Sequence, residues 1–252
     1  MLGWATDLHF DHASEDEIEK FLSSVKTDHL LITGDIANGK TVENALNLIQ
    51  KRLKIPVYFV LGNHDFYGSS IKEIREKAKK FNYLPQNDVA IDGFLLVGAD
   101  GWADGRSGDF YTSTVLMNDF ELIEELKNLT MPERLNAIQK LSKDSNDLLE
   151  EKINRGLKHY DKIIIATHVP PFRQACLYQS EPSDDAWAPY FVNTDLGHRL
   201  IKIFNEKTQK KALVLSGHSH NNALYSPLPN LEVRVGKAEY GYPTLQSLNV
   251  LV

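Results

Sequence analysis

Five short polar islands, each of which follows a brief apolar run, constrain the fold of this chain most strongly. An apolar run of about 4–8 residues that ends at such a break is typical of a buried strand. A polar island placed there lies at the carboxyl edge of a sheet, where open α/β sheets bind their ligands. The islands are Asp7-Leu8-His9, Gly34-Asp35, Gly62-Asn63-His64-Asp65, His168 and Gly217-His218-Ser219-His220.

Segments with helical spacing separate most of these apolar runs. This alternation indicates an α/β sheet with helices on both faces. Short C-terminal strands would then belong to a second sheet packed on the first. We predict strands at 2–6, 29–33, 57–61, 94–98, 163–167, 212–216, 223–225, 232–235 and 248–252, and helices at 14–24, 41–53 and 71–81.

Residues 118–160 interrupt the alternation with two helical patterns, the second of which starts near Pro132, a residue suited to a first helical turn. No linker rich in glycine and serine marks a boundary. We therefore expect a single domain over residues 1–252, with residues 118–160 as a helical insertion above the sheet edge.

Charge and composition narrow the class of protein. The net charge of −6 argues against a protein that wraps nucleic acid, although bound metals would still allow phosphate-bearing substrates. The basic run at 72–80 alternates with glutamates and is interpreted as a solvated helix face. No apolar run reaches the ~20 residues of a membrane span. Because the first island starts at Asp7, it leaves no room for a signal peptide, and we expect a cytoplasmic protein.

The islands combine carboxylates, imidazoles and one amide, in numbers sufficient for two metal ions. A close pair of divalent metals suits in-line phosphoryl transfer to water. The mixture of donors favours manganese, iron, zinc or nickel over calcium. Five of the nine histidines fall in the islands, whereas His29, His159 and His198 are interpreted as ordinary surface or core residues. His12 is assigned to a solvated loop, or to a place behind a ligand.

The motifs Asp-x-His, Gly-Asp, Gly-Asn-His-Asp, His and Gly-His-x-His occur in that order between Asp7 and His220. In this they resemble the calcineurin-like metallophosphoesterases. The stretch His168-Val169-Pro170-Pro171 looks like a turn common in bacterial phosphodiesterase-like members. The resemblance implies a four-layer α/β/β/α sandwich of two mixed sheets flanked by helices, with a dimetal site at the C-terminal ends of the strands.

The resemblance also implies a role for each island residue. His64 would be the general acid, with Asp65 either its orienting partner or only a turn cap. A metal-bridging hydroxide would attack a phosphodiester or phosphomonoester, with a small or nucleotide-like diester preferred. Manganese is the favoured metal. The implied ligands are Asp7, His9 and His220 for one ion, Asn63, His168 and His218 for the other, and Asp35 as the bridge between them.

Two branches of the family are disfavoured. Protein Ser/Thr phosphatases carry an Asp-Arg pair after the Gly-Asp motif, and purple acid phosphatases place a tyrosine where this chain has Asn38. A phosphomonoesterase or protein phosphatase, a nuclease and a non-catalytic scaffold stay open as alternatives. The acidic balance argues against a nuclease, and the complete ligand set argues against a scaffold.

Substrate contacts are expected from loops that the motifs do not define. Arg106 or Arg173 is a candidate for contacting a phosphate, and Trp187 or Tyr190 for stacking on a base. The alternative is that these aromatic residues only pin a loop to the core.

Overall fold

Two mixed β-sheets lie face to face between two layers of helices in the computed structural model, which describes residues 1–248. The four-layer architecture predicted from the sequence is therefore confirmed. The strands are β1 (Leu2–Ala5), β2 (His29–Thr33), β3 (Val57–Val60), β4 (Asn82–Tyr83), β5 (Val89–Ile91), β6 (Phe94–Gly98), β7 (Lys162–Ala166), β8 (Leu177–Tyr178), β9 (Glu181–Pro182), β10 (Lys211–Ser216), β11 (Ala223–Leu228), β12 (Leu231–Val235) and β13 (Leu245–Gln246). The helices are α1 (Glu15–Ser24), α2 (Val42–Leu53), α3 (Ile71–Ala78), α4 (Asp119–Leu122), α5 (Met131–Gly156), α6 (Ala188–Phe191) and α7 (Thr194–Glu206).

The first sheet has the order β13-β1-β2-β3-β4, with β1 to β4 parallel and β13 antiparallel. Successive side chains of a strand point to opposite faces. Accordingly, Leu30 and Ile32 pack with the outer helices α1 and α2, whereas Leu31 belongs to the core between the two sheets. The apolar runs are continuous because both faces of these strands are buried.

The second sheet has the order β11-β12-β10-β7-β6-β5, in which the four central strands are parallel. Ile163 and Ile165 pack against α5 and α7, and Ile164 faces the first sheet. The sequence analysis assigned only the short C-terminal strands to this second sheet. The sheet is larger because β6, β7 and β10 also belong to it.

Most predicted elements are present within a few residues of their expected ends. The helix predicted at 71–81 ends at Ala78, and α7 (Thr194–Glu206) escaped prediction. The last strand in residues 1–248 is Leu245–Gln246, and the strand predicted at 248–252 falls, beyond Leu248, outside the described residues.

The segment predicted as a helical insertion contacts two parts of the molecule. Ile138, near the start of α5, packs with residues beside the sheet edge, whereas Leu149 and Ile153 cover the outer face of the second sheet. A capping box between Thr130 and Glu133 starts this helix of 26 residues. Within residues 1–248 no helix, α5 included, is both long and apolar enough to cross a membrane.

Candidate metal centre

The carboxyl ends of β1, β2, β3, β7 and β10 bring the five islands together at one rim, where potential ligand atoms form two clusters. The donor atoms within each cluster lie within 4.8 Å of one another. All but one of these side chains are buried, where converging charged and polar groups need a compensating partner. The first cluster holds Asp7, His9, Asp35 and His220, and the second holds Asp35, His168 and His218.

Asp35 belongs to both clusters through a single oxygen. Its Oδ2 lies 3.3 Å from His168 Nε2 and 3.9 Å from His9 Nε2. Asn63 joins the second cluster, since its Oδ1 lies 3.1 Å from His168 Nε2. In the first cluster, His220 Nε2 lies 3.1 Å from His9 Nε2 and 3.2 Å from an oxygen of Asp7. The structure thus assembles all seven ligands predicted from the sequence around one shared carboxylate.

Tight backbone turns aim these side chains inward. Asp7, His9, Asp35, His218 and His220 all have a positive φ, between 43° and 69°. Residues other than glycine rarely adopt this conformation, and such strain concentrates at functional sites.

Glycines in the islands leave space for the ligands. A Cβ atom on Gly62 would collide with Asp35 Oδ1, and one on Gly217 would collide with Asp7 Oδ2. Only glycine allows the backbone to approach the two carboxylates this closely.

Backbone carbonyls fix which ring nitrogen of two histidines is available. His168 donates from Nδ1 to Thr33 O at 2.9 Å, and His218 donates from Nε2 to Tyr190 O at 3.0 Å. Each ring then presents its other nitrogen as a ligand, in the manner of histidines that bind metal. His64 N and His218 N donate to Asp35 and Asp7, which fixes both carboxylates.

The protonation of the clusters fits a site that accepts cations. Burial disfavours the charged ring of His168, but the carboxylate of Asp35 outweighs burial and raises the pKa of His168 to about 10. Burial and the neighbouring charge of His168 lower the pKa of His218 to about 3, and burial lowers the pKa of His9 to about 4. Burial also disfavours the charged ring of His220, but the hydrogen bond to Asp7 outweighs it and raises the pKa of His220. An incoming cation therefore meets neutral imidazoles at His9 and His218 and displaces a proton from His168.

His64 lies at the edge of the clusters and is partly exposed. Its ring centroid lies 4.6 Å from that of His9 and 4.3 Å from that of Tyr67. The position suits a group that reaches a bound substrate and is not itself a member of either cluster.

Asp65 does not have the orienting role toward His64 that was one of its two predicted roles. Its side chain is fully buried, and Oδ1 accepts hydrogen bonds from Ile36 N at 2.8 Å and Ala37 N at 3.0 Å. Oδ2 accepts from Gly62 N at 2.8 Å. These bonds tie together the turns after β2 and β3, which matches the alternative prediction of a turn cap.

Asp119 and Tyr67 were not predicted, yet both hold the amide of Asn63. Asn63 Nδ2 donates to Asp119 Oδ1 at 2.8 Å and to Tyr67 Oη at 3.0 Å, and Tyr67 Oη donates to the same carboxylate at 2.6 Å. Because the amino group is occupied, the amide oxygen points to the second cluster. A carboxylate 56 residues away in sequence carries no local signal that would have revealed this role.

Asp119→Ala is expected to weaken metal binding at the second cluster by about 10- to 100-fold, because Asn63 loses the partner that orients its amide. Calorimetric titration of Mn²⁺ into metal-free protein measures this affinity. Glu121→Ala is the matched control, since Glu121 is an exposed acidic residue of the same short helix. Equal affinities for the two variants would contradict the prediction.

A cavity of about 580 Å³ opens beside the clusters and extends from Asp35 and His64 toward Trp187. Of the four residues predicted to contact the substrate, Trp187 lines this cavity. Tyr190 is buried against Phe110 and serves His218 through its backbone carbonyl.

Both predicted arginines face protein groups. Arg106 pairs with buried Asp104, with 3.4 Å between Nη1 and Oδ2. Arg173 donates to Ser183 O at 2.6 Å and to Asp185 at 2.7 Å. These contacts correct the expectation that either arginine binds phosphate, because neither is among the residues that line the cavity in the described part of the chain.

Tyr240 also lines the cavity and was missed by the sequence analysis. Its ring centroid lies 4.4 Å from that of His9 and 5.1 Å from that of His220. Burial, together with the charges of Asp35 and Asp7, raises the pKa of Tyr240 to about 12, so its hydroxyl stays protonated at neutral pH.

Solved structures with the same fold include three phosphoester hydrolases. They are phosphopantetheinyl hydrolase from Mycobacterium tuberculosis (14% identity, TM-score 0.65, 97% of this chain and 95% of that chain covered), a dimetal phosphatase from Danio rerio (11%, 0.57, 95% and 88%) and a putative 5'-nucleotidase from Staphylococcus aureus (11%, 0.52, 98% and 52%). At these identities the similarity establishes the fold alone. No curated protein matches the chain in sequence.

The family model described as calcineurin-like phosphoesterase matches residues 2–222. The match includes all seven side chains of the two clusters, and it confirms the resemblance seen in the motifs. Tyr240 lies beyond the matched residues. The chain therefore belongs to the calcineurin-like phosphoesterases, which are hydrolases of phosphoester bonds with a dimetal centre.

Proposed function

We propose that this enzyme hydrolyses phosphodiesters, with small or nucleotide-like diesters preferred, at two divalent cations held by the two clusters. The observation that supports this most directly is the position of Asp35 Oδ2, which faces His168 on one side and His9 on the other. A carboxylate shared in this way allows two cations to be held ~3.5–4 Å apart. The similar structures, named as a hydrolase, a phosphatase and a nucleotidase, are consistent with this chemistry.

The residues divide between the two cations. The mixture of imidazole, carboxylate and amide donors suits manganese, iron, zinc or nickel, and we favour manganese. When bound, the cations supply positive charge to phosphoryl oxygens and lower the pKa of water to about 7 in favourable cases. Asp7, His9 and His220 would hold the first ion, Asn63, His168 and His218 the second, and Asp35 both.

His64 is proposed to donate a proton to the leaving oxygen. Its backbone N–H donates to Asp35 Oδ1 at 2.9 Å, which fixes the position of His64 relative to both clusters. The rings of Tyr67 and His9 restrict its imidazole, and the imidazole borders the cavity. A positioned acid of this kind contributes about 10²–10⁴-fold to a rate.

The size of the cavity supports a diester. A monoester needs space for one organic arm, whereas about 580 Å³ beside the clusters can hold a second arm as well. Trp187, with 48% of its surface exposed on the wall, offers a face on which a base or another ring can stack.

Rates on matched model substrates test this function. Metal-free protein would be supplied separately with manganese, iron, zinc, nickel or magnesium and assayed on p-nitrophenyl phosphate and bis(p-nitrophenyl) phosphate. We expect a higher kcat/KM for the diester with at least one transition metal. A clear preference for the monoester would overturn the diester proposal, and inactivity on both with every metal would overturn the dimetal function.

Metal is also expected to stabilise the fold. A cation that binds only the native state, at a free concentration about 100 times its Kd, should raise Tm by roughly 5–10 °C for a chain of this size. Thermal unfolding with and without Mn²⁺ measures the shift. His29→Ala, which removes a histidine outside the clusters, is expected to keep it. The absence of a shift with all four transition metals would contradict the prediction.

A further inference from the structure

The cavity wall that faces the clusters is built mainly from apolar side chains. Two separate segments supply it, residues 116–118 and the stretch 177–191, which includes the hairpin of β8 and β9. The wall begins at the clusters, since Phe191 packs on His218 with ring centroids 4.5 Å apart. Its apolar members are Leu116, Met117, Leu177, Tyr178, Trp187 and Phe191.

Exposed apolar side chains concentrate around this cavity. Ten large hydrophobic residues are exposed in residues 1–248, and four of them line the one cavity: Leu116, Tyr178, Trp187 and Tyr240. Leu116 is the most exposed of the four, at 89%. Exposed apolar surface that is grouped in this way marks a site of contact with a ligand.

The charged residues that line the cavity also restrict which substrates it can bind. Among the lining residues that the structure describes there is no lysine or arginine, and Asp184 on the far wall adds a negative charge. Arg173 and Arg106, the nearest candidates from the sequence, are paired with Asp185 and Asp104. Positive charge would thus be confined to the cluster end of the cavity, to the cations and the histidines beside them, where one phosphoryl group can use it.

The wall is braced before any substrate arrives. Arg173 donates to Ser183 O at the base of the hairpin, and Ser113 Oγ donates to Ala186 O at 2.7 Å. Asp109 N donates to Asp185 O at 2.9 Å, which is a second link between residues 109–113 and residues 185–186. A preformed wall loses little conformational entropy on binding, so its apolar contacts contribute more fully to affinity.

We infer that the substrate is a phosphoester whose arm in this cavity is apolar or aromatic and carries no negative charge. This inference rests on the proposed function. It places compounds with a second phosphate or a carboxylate on that arm, nucleic acid included, among poor substrates. An additional anion there would meet Asp184 and, among the described lining residues, no lysine or arginine.

A series of three diesters with the same leaving group tests the inference. Methyl, phenyl and 4-carboxyphenyl esters of p-nitrophenyl phosphate share one scissile bond and differ only in the arm that stays on phosphorus. We expect kcat/KM for the phenyl ester to exceed that for the methyl ester by roughly tenfold. The 4-carboxyphenyl ester should fall below the phenyl ester by a similar factor of about ten.

Substitutions on the wall test whether the cavity causes this dependence of kcat/KM on the ester arm. Trp187→Ala is expected to reduce the phenyl-to-methyl ratio to about threefold or less. Leu116→Lys should raise the rate on the 4-carboxyphenyl ester relative to the phenyl ester, and the exposure of Leu116 makes the fold insensitive to this change. Tyr111→Ala is the control, because Tyr111 is an exposed aromatic residue outside the cavity, and both ratios should stay as in the original protein.

The outcomes separate this inference from the proposed function. Equal kcat/KM for the three esters, or the highest value for the 4-carboxyphenyl ester, overturns the inference and leaves the diesterase function standing. Wall variants with unchanged ratios also overturn it. If none of the three esters is hydrolysed with any metal, the proposed function itself fails.

Discussion

Asp35→Asn is expected to lower kcat/KM by at least about 10³-fold. The oxygen Oδ2 is the one atom that faces both clusters, 3.3 Å from His168 Nε2 and 3.9 Å from His9 Nε2. An asparagine amino group in its place presents hydrogens to two cations and removes one negative charge. The variant can still accept the hydrogen bond from His64 N through its remaining oxygen, so the fold should survive.

Metal content and unfolding distinguish a lost site from a lost fold. Asp35→Asn should bind clearly fewer than two ions per chain by elemental analysis, and metal should no longer raise its Tm. Asp11→Asn is the matched control, because Asp11 is an aspartate near the rim that belongs to neither cluster. Near-normal activity in Asp35→Asn, together with a full complement of metal, would refute the shared-carboxylate arrangement.

His64→Ala is expected to lower kcat by about 10²–10⁴-fold with an alkoxide leaving group, because the leaving oxygen loses its proton donor. The loss should be far smaller with p-nitrophenol as leaving group, since that phenolate is stable without a proton. Metal stoichiometry should stay unchanged, because His64 is in neither cluster. Rates on paired alkyl and p-nitrophenyl diesters, with metal content measured on the same samples, test all three statements.

His12→Ala provides the control for His64. Its ring lies 6.1 Å from that of His9, centroid to centroid, and its side chain is half exposed beside the rim. We expect its rates to match those of the original protein. An equal loss on both kinds of leaving group in His64→Ala would remove His64 from the acid role and indicate a positioning effect instead.

The positions of the predicted ligands could be found from sequence because part of their signal is local. A buried parallel strand presents the residues that follow it at the carboxyl edge of the sheet. Asp35 after β2 and His168 after β7 follow this rule, and the resemblance of the five ordered motifs to a known family then implied their roles as ligands. The order of the motifs then supplied the family and the four-layer fold.

Other roles depended on contacts between distant segments. Asp119 meets Asn63 across 56 residues, and Tyr240 reaches His9 from beyond the end of the family match. Arg173 shows the reverse error, because an arginine five residues after a predicted ligand donates to Ser183 O and pairs with Asp185. A side chain's partner depends on which loops pack together, and no local pattern encodes that packing.

The sequence by itself determined which side chains meet at the strand ends: the seven predicted ligands on five strand ends, and a histidine beside them. Once the chain forms its sheets, strand geometry and backbone conformation place those residues at the carboxyl edge. Only the tertiary structure decided what surrounds that centre, namely the contacts that hold Asn63, the structural use of Asp65 and the apolar cavity wall that includes Leu116 and Trp187. Among the described residues that line this cavity there is no lysine or arginine. The physical reason is that a wall is a property of loops brought together by packing, whereas a ligand at a strand end is a property of the strand.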